Sequence, residues 1–185
     1  MRRSLPSVAQ LLSTFVLLSL GLTLSACAPA PQTGEDVVVF LVRHAEKADD
    51  PSDDPPLTEV GEARAAALAF LLSDAGLTHI HSTPTRRTMD TASPVQEVTG
   101  LGVEPYQGGE LGQLAAALRS TPGRHLVVGH SNTTPALVGL LGGDPGVPME
   151  DSEYDRFYVL TLHPSGSVAT VVLRLATQAA NPMSP

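Results

Sequence analysis

Two histidines in this 185-residue chain stand directly behind apolar runs: His44 closes "DVVVFLVRH" and His130 closes "RHLVVGH". Arg43 precedes the first, while Arg86 and Arg87 follow the short stretch "LTHIHS" within "STPTRRTMDTA". A neutral imidazole is a nucleophile or a proton carrier near neutral pH. Guanidinium forks donate paired hydrogen bonds to the oxygens of a phosphate or carboxylate. A histidine flanked by arginines is thus equipped to attack an anionic centre and to hold the charge that develops on it. An isolated histidine at a strand end is more often a hydrogen-bonded structural residue. What decides between the two roles is whether the fold brings these side chains together.

The elements that must do this are legible from pattern. "DVVVFLV" (residues 36–42) is apolar and β-branched throughout, as in a strand buried on both faces. After the acidic, proline-rich "ADDPSDDPPL", Thr58 caps a helix over "EVGEARAAALAFLLSDA", with Gly76 as its stop. "LTHIHS" (77–82) is a short strand, and "TRRTMDTASPVQEV" a helix that Pro94 is expected to interrupt. "GVEPY" is a further short strand candidate, "ELGQLAAALRS" a helix, "RHLVVGH" a buried strand, and "NTTPALVGLLGG" a helix with proline in its first turn. "DRFYVLTLH" and "SVATVVLRLA" flank Pro164-Ser165-Gly166, a hairpin signal. Strands alternating with helices imply a mostly parallel sheet with both faces covered. The fold class is therefore α/β, a three-layer α/β/α sandwich whose C-terminal antiparallel hairpin adds edge strands. In such sheets ligands bind beyond the carboxyl ends of the strands, where Arg43, His44 and His130 stand.

The formal net charge is −8, and no basic run offers a footprint for nucleic acid. Residues 1–26 read as a lipoprotein signal peptide: Arg2 and Arg3, an apolar core from Leu11 to Leu24, then "LSAC". Cleavage before Cys27 and its lipidation would anchor the chain to a membrane; an ordinary signal peptide or an uncleaved anchor are the alternatives. Cys27 is the only cysteine, so no disulfide can form within the chain. Residues 27–35 form a flexible tether, 36–178 the folded domain and 179–185 a tail.

The segments "VRHAEK", "PLTEVGEARA", "STPTRRTMDTA" and "VVGHSNTTPAL" resemble, in order and rough spacing, those of the histidine phosphatase superfamily with its phosphoglycerate-mutase-like fold. The resemblance covers about the whole domain. It implies a metal-independent phosphatase in which His44 is phosphorylated, Arg43, Arg87 and His130 surround the phosphoryl group, and backbone amides near Ser131 and Asn132 add to the anion site. It implies no cofactor and no metal. As partners it implies a small phosphorylated substrate or a phosphohistidine protein. Many members place a proton-donating glutamate between the second arginine and the second histidine. Here that position falls to Glu110 in "GGEL", which serves equally well as an ordinary carboxylate at a helix start. A mutase is disfavoured, because isomerising a glycolytic phosphate has no use outside the cytoplasm. The rival class is a non-catalytic lipoprotein that binds phosphate or a phosphorylated ligand.

Other residues read more plainly. Arg86 is expected at a solvated rim, and Glu46 and Lys47 near the mouth as an exposed pair. His79 and His81 share a strand face, yet two imidazoles without a third ligand are a weak metal signal. The acidic loop does not match a calcium-binding spacing.

If Cys27 carries the anchor, Cys27→Ser abolishes partition of the chain with membranes, since each buried acyl CH₂ contributes about 0.8 kcal/mol. Fractionation of expressing cells checks this; unchanged membrane association would point to an uncleaved helix.

Overall fold

A computed structural model describes residues 34–176. The segment expected to be a signal peptide (1–26), Cys27, most of the expected tether and the expected tail lie outside the described residues. Six strands form one sheet: β1 (Val37–Arg43), β2 (His79–Ser82), β3 (Val103–Pro105), β4 (Arg124–Gly129), β5 (Arg156–Leu162) and β6 (Val168–Arg174). Their order is β3-β2-β4-β1-β5-β6, with β1 to β4 mutually parallel and β5 and β6 antiparallel.

Alternation along the central strands sends side chains into two apolar layers. Val39, Leu41 and Val127 pack with Tyr158 and Leu160 under α3 (Leu111–Ser120) and α4 (Thr133–Leu140). Phe40, Val42, Ile80, Leu126 and Val128 pack on the opposite face under α1 (Glu59–Leu72) and α2 (Arg86–Thr99). The result is the expected α/β/α sandwich, and Gly166, at φ +87°, turns the β5–β6 hairpin.

Two expectations need correction. The α2 helix is not interrupted at Pro94 but runs through it to Thr99. Proline leaves the Asp90 carbonyl without its helical donor, but Ala92 and Val95 beside it are fully buried and hold that face on the sheet. Similarly, α1 ends at Leu72 rather than at Gly76. Both the backbone N–H and the Oγ of Ser73 turn back to the Phe70 carbonyl, and the left-handed Gly76 comes only after this turn, on the way to β2.

The start of α1 is fastened to the segment that follows β1. Thr58 accepts from Gly61 N–H at 3.1 Å as N-cap, and its own N–H donates to the Glu46 carbonyl at 2.9 Å. Gly61 is required here by close approach, since a Cβ would fall 2.3 Å from the Glu46 carbonyl oxygen. The Ala48 N–H to Pro56 carbonyl bond at 2.8 Å then closes the base of the acidic loop. His79 and His81 stack with His125, a residue that pattern alone did not associate with them, and His81 and His125 share a hydrogen bond of 3.1 Å. Among the described residues no group of three or more His, Cys, Asp or Glu is arranged to hold a metal ion.

Gly61→Ala forces a Cβ against the Glu46 backbone, in the segment that carries His44. It is expected to lower the urea unfolding free energy by about 1–3 kcal/mol. An unchanged unfolding midpoint would contradict this account of the α1 attachment.

Candidate active site

The β1–β4 register sets the geometry. Arg43 is opposite Gly129, so the next residues, His44 and His130, leave the sheet side by side. His44 N–H donates to the Gly129 carbonyl at 2.9 Å, and the ring centroids of the two histidines are 5.4 Å apart, edge to face. They line an open cavity of about 340 Å³ together with Lys47, Ser52, Asp53, Pro55, Arg87, Ser131 and Asn132.

His44 is held by its own backbone. Its Nδ1–H donates to the Ala45 carbonyl at 2.8 Å, and Ala45 N–H in turn donates to Thr91 Oγ1 at 2.9 Å. This fixes the tautomer and leaves the Nε2 lone pair as the free position of the ring. Burial pushes the His44 pKa down to about 3; the Ala45 bond opposes that shift, and the charges of Arg43, His130 and Arg87 add to it. The ring is neutral at pH 7, the form in which it can attack.

His130 is oriented through a chain of hydroxyls. Thr83 Oγ1 donates to Thr88 Oγ1 at 3.0 Å, so it accepts from His130 Nε2–H at 2.9 Å. His130 Nδ1 then accepts from Arg87 Nη2 at 3.5 Å. Burial, followed by Arg87 and Arg43, lowers its pKa to about 4.

Arg87, in the first turn of α2, is the guanidinium that lines the cavity, and its Nη1 also lies 3.6 Å from Asp54 Oδ1. The same carboxylate oxygen accepts from the Arg86 N–H at 2.8 Å, tying the acidic loop to the start of α2. Arg43 sits behind His44 and does not line the cavity. Its Nη1 donates to the carbonyls of Glu150, Asp151 and Glu153 at 2.9–3.0 Å, its guanidinium lies 4.2 Å from the Tyr154 ring centre, and its Nε is buried without a partner. Glu110 is the exposed N-cap residue of α3, without a side-chain capping bond, and it too is absent from the cavity wall.

Arg86 is exposed and pairs with Asp90. Glu46 and Lys47 do not form the expected pair. Glu46 turns to Arg64 at 2.6 Å, half-buried, while Lys47 lines the cavity. Tyr154, Asp53 and Asp54 went unnoticed in the sequence. Asp53 and Asp54 sit within the acidic, proline-rich loop, whose spacing does not single them out from its other carboxylates, and nothing in one dimension links Tyr154 to Arg43.

A buried neutral imidazole with a free Nε2, a second imidazole and a guanidinium around one open cavity can bind a tetrahedral anion and attack its centre. Residues 39–108 match the family model of the histidine phosphatase superfamily (branch 1). Over 71 residues the chain is 39% identical to a probable phosphoglycerate mutase of Yersinia enterocolitica, covering 35% of this chain and 33% of that protein. The chain thus matches about a third of the length of this curated relative. The fold is similar to that of the protein histidine phosphatase SixA solved with tungstate, with a TM-score of 0.64, 23% identity, and coverage of 74% of this chain and 96% of that one. It is also similar to a mycobacterial glucosyl-3-phosphoglycerate phosphatase, with a TM-score of 0.61, 18% identity, and coverage of 77% and 100%. The match to the histidine phosphatase superfamily thus rests on residues 39–108, and the solved structures share the fold.

Because folding lowers the pKa values of His44 and His130, the unfolded chain takes up protons first as pH falls below about 6.5. His81, lowered to about 4 by burial, and His125, lowered by the same cause, act in the same direction. Stability is therefore full above that pH and is lost as pH falls toward about 3. Urea midpoints measured between pH 7.5 and 4.5 should decline steadily, and less so in His44→Gln; a flat profile would contradict these shifts.

Proposed function

We propose that this protein is a metal-independent phosphatase that hydrolyses a phosphomonoester or a phosphohistidine through a covalent phosphohistidine on His44. The observation that carries the reading is the His44 ring itself, with Nδ1–H committed to Ala45, Nε2 free, and burial keeping it neutral in a cavity that Arg87 and His130 also line.

The steps balance without a metal. His44 Nε2 forms a bond to phosphorus as the bond from phosphorus to the leaving oxygen or nitrogen breaks, and the leaving atom takes a proton from water in the open cavity. Arg87 and the amides near Ser131 and Asn132 hold the equatorial oxygens, with His130 beside them. Water then attacks the phosphohistidine and gives up a proton to solvent, which offsets the one taken by the leaving group; the P–N bond breaks, inorganic phosphate departs and the imidazole is regenerated. Arg43 acts from behind, since its three bonds to the 150–153 carbonyls and its stacking on Tyr154 fix the end of β1.

The substrate is a small phosphorylated molecule or a phosphohistidine protein. The likeness to SixA, a protein histidine phosphatase, supports the second. The leader and Cys27 support an extracytoplasmic lipoprotein held at a membrane.

Turnover of a chromogenic phosphate ester tests the reading. It should persist in a chelator and fall by roughly a thousandfold or more in His44→Ala. No turnover by the wild-type chain on phosphate esters or phosphohistidine peptides would leave the binding-module reading in its place. Glu110→Gln should change turnover of alkyl and phenyl esters equally and slightly, because that carboxylate lies outside the cavity wall. A selective slowing of alkyl esters by about a hundredfold, the range of general acid catalysis, would make Glu110 the proton donor.

A further inference from the structure

Five of the nine residues that line the cavity stand around the nucleophile and the place of the phosphoryl group: His44, Arg87, His130, Ser131 and Asn132. The other four, Lys47, Ser52, Asp53 and Pro55, come from the segment that follows His44 and take no part in making or breaking the bonds to phosphorus. In-line attack decides what they face. The leaving atom departs on the side of phosphorus opposite to His44 Nε2. His44 is buried, 3% exposed, whereas Lys47, Ser52 and Asp53 are exposed. The leaving group therefore points outward, toward the wall that these residues form. A cavity of about 340 Å³ has room for a small leaving group beside the phosphoryl.

Lys47 is aimed into this space by its backbone. It pairs with Leu57 in an isolated antiparallel bridge. The Thr58 N–H to Glu46 carbonyl bond at 2.9 Å lies on one side of that bridge, and the Ala48 N–H to Pro56 carbonyl bond at 2.8 Å on the other. Leu57 is buried with Ala45 and Ala65, so the short ladder is fixed to the interior. Side chains alternate along extended backbone, which sends Glu46 to Arg64 and Lys47 to the cavity. Lys47 forms no ion pair among the described residues. Asp54, by contrast, is held by the Arg86 N–H at 2.8 Å and lies 3.6 Å from Arg87.

An ammonium on a flexible stem is a point charge that meets an anion in several geometries. Arg87, His130 and the amides near Ser131 already face the phosphoryl oxygens, so the anion left for Lys47 is one that the leaving group carries. Ser52 and Asp53 can accept hydrogen bonds from a hydroxyl or ammonium beside it. Pro55 is the single apolar side chain of the cavity wall, so a hydrocarbon leaving group gains little burial there.

Building on the phosphatase reading above, we propose that Lys47 is a specificity-determining residue that binds a second anionic group on the leaving group. The substrates are then small polar phosphomonoesters that bear such a group, rather than a phosphohistidine protein, whose imidazole leaving group carries no anion.

Phenyl phosphate and its 3- and 4-carboxy derivatives test this, because they differ by one carboxylate. For the better carboxy ester the wild-type chain should show a kcat/KM roughly ten- to a hundredfold above that for phenyl phosphate, the range of a hydrogen bond to a charged group, and mainly through KM. Lys47→Gln should bring this ratio close to one and Lys47→Arg should keep most of it. Lys47→Glu should turn the preference toward an aminomethylphenyl phosphate. Three results would each overturn the proposal and leave the phosphatase reading standing: phenyl phosphate turnover with no gain from the carboxylate, a gain that survives Lys47→Gln, or a phosphohistidine peptide turned over faster than every ester in the wild-type and Lys47→Gln chains alike. Turnover of neither esters nor peptide would overturn both.

Discussion

The site depends on one constraint, the parallel register of β1 against β4. Arg43 pairs with Gly129, so the chain releases His44 and His130 from the sheet at the same level, and the His44 N–H to Gly129 carbonyl bond fixes that level. A slip of one residue would turn every side chain of β1 to the opposite face, exchanging Val39 and Leu41 with Phe40 and Val42 between the two apolar layers. The cores therefore enforce the register, and the register places the two imidazoles. Gly129 itself belongs to this arrangement, since a Cβ there would fall within 3 Å of the hydroxyls of Tyr106, Thr133 and Thr134.

Electrostatics builds on that placement. Burial, reinforced by the charges of Arg43 and Arg87, disfavours any further positive charge in this half-closed space, so both rings stay neutral while Arg87 supplies the cation. Keeping them neutral is what separates a nucleophile from one more anion-binding group. The nearest carboxylate to Arg87, from Asp54, is about half exposed and 3.6 Å away, so its pairing contributes little and can yield to a phosphate with two charges. Asp54 contributes more through the Arg86 N–H, where it anchors the acidic loop to α2 and so shapes the cavity wall.

How much of this was legible in the sequence followed the range of the interactions. The buried strands, the Thr58 cap and the hairpin turn at Gly166 are written in local pattern, and they were read from it. The convergence of His44, Arg87 and His130 became legible once strand ends were assigned to one edge of a parallel sheet. Contacts between distant loops were not legible. The three carbonyls that hold Arg43 come from residues 150–153, more than a hundred positions away, and the Glu46–Arg64 pair displaced the local Glu46–Lys47 expectation. Pro94 does not interrupt α2 because burial of Ala92 and Val95 outweighs the single missing helical donor, a balance that local pattern does not show.

The central claim is that His44 becomes phosphorylated. The most direct measurement is rapid mixing with labelled substrate, an alkaline quench, and mass-spectrometric mapping of the modified peptide. A phosphoramidate is stable in base and labile in acid. The account predicts a base-stable, acid-labile phosphate on His44 that forms at least as fast as steady-state turnover. A turning-over protein whose label sits on another residue, or that never carries one, would contradict it.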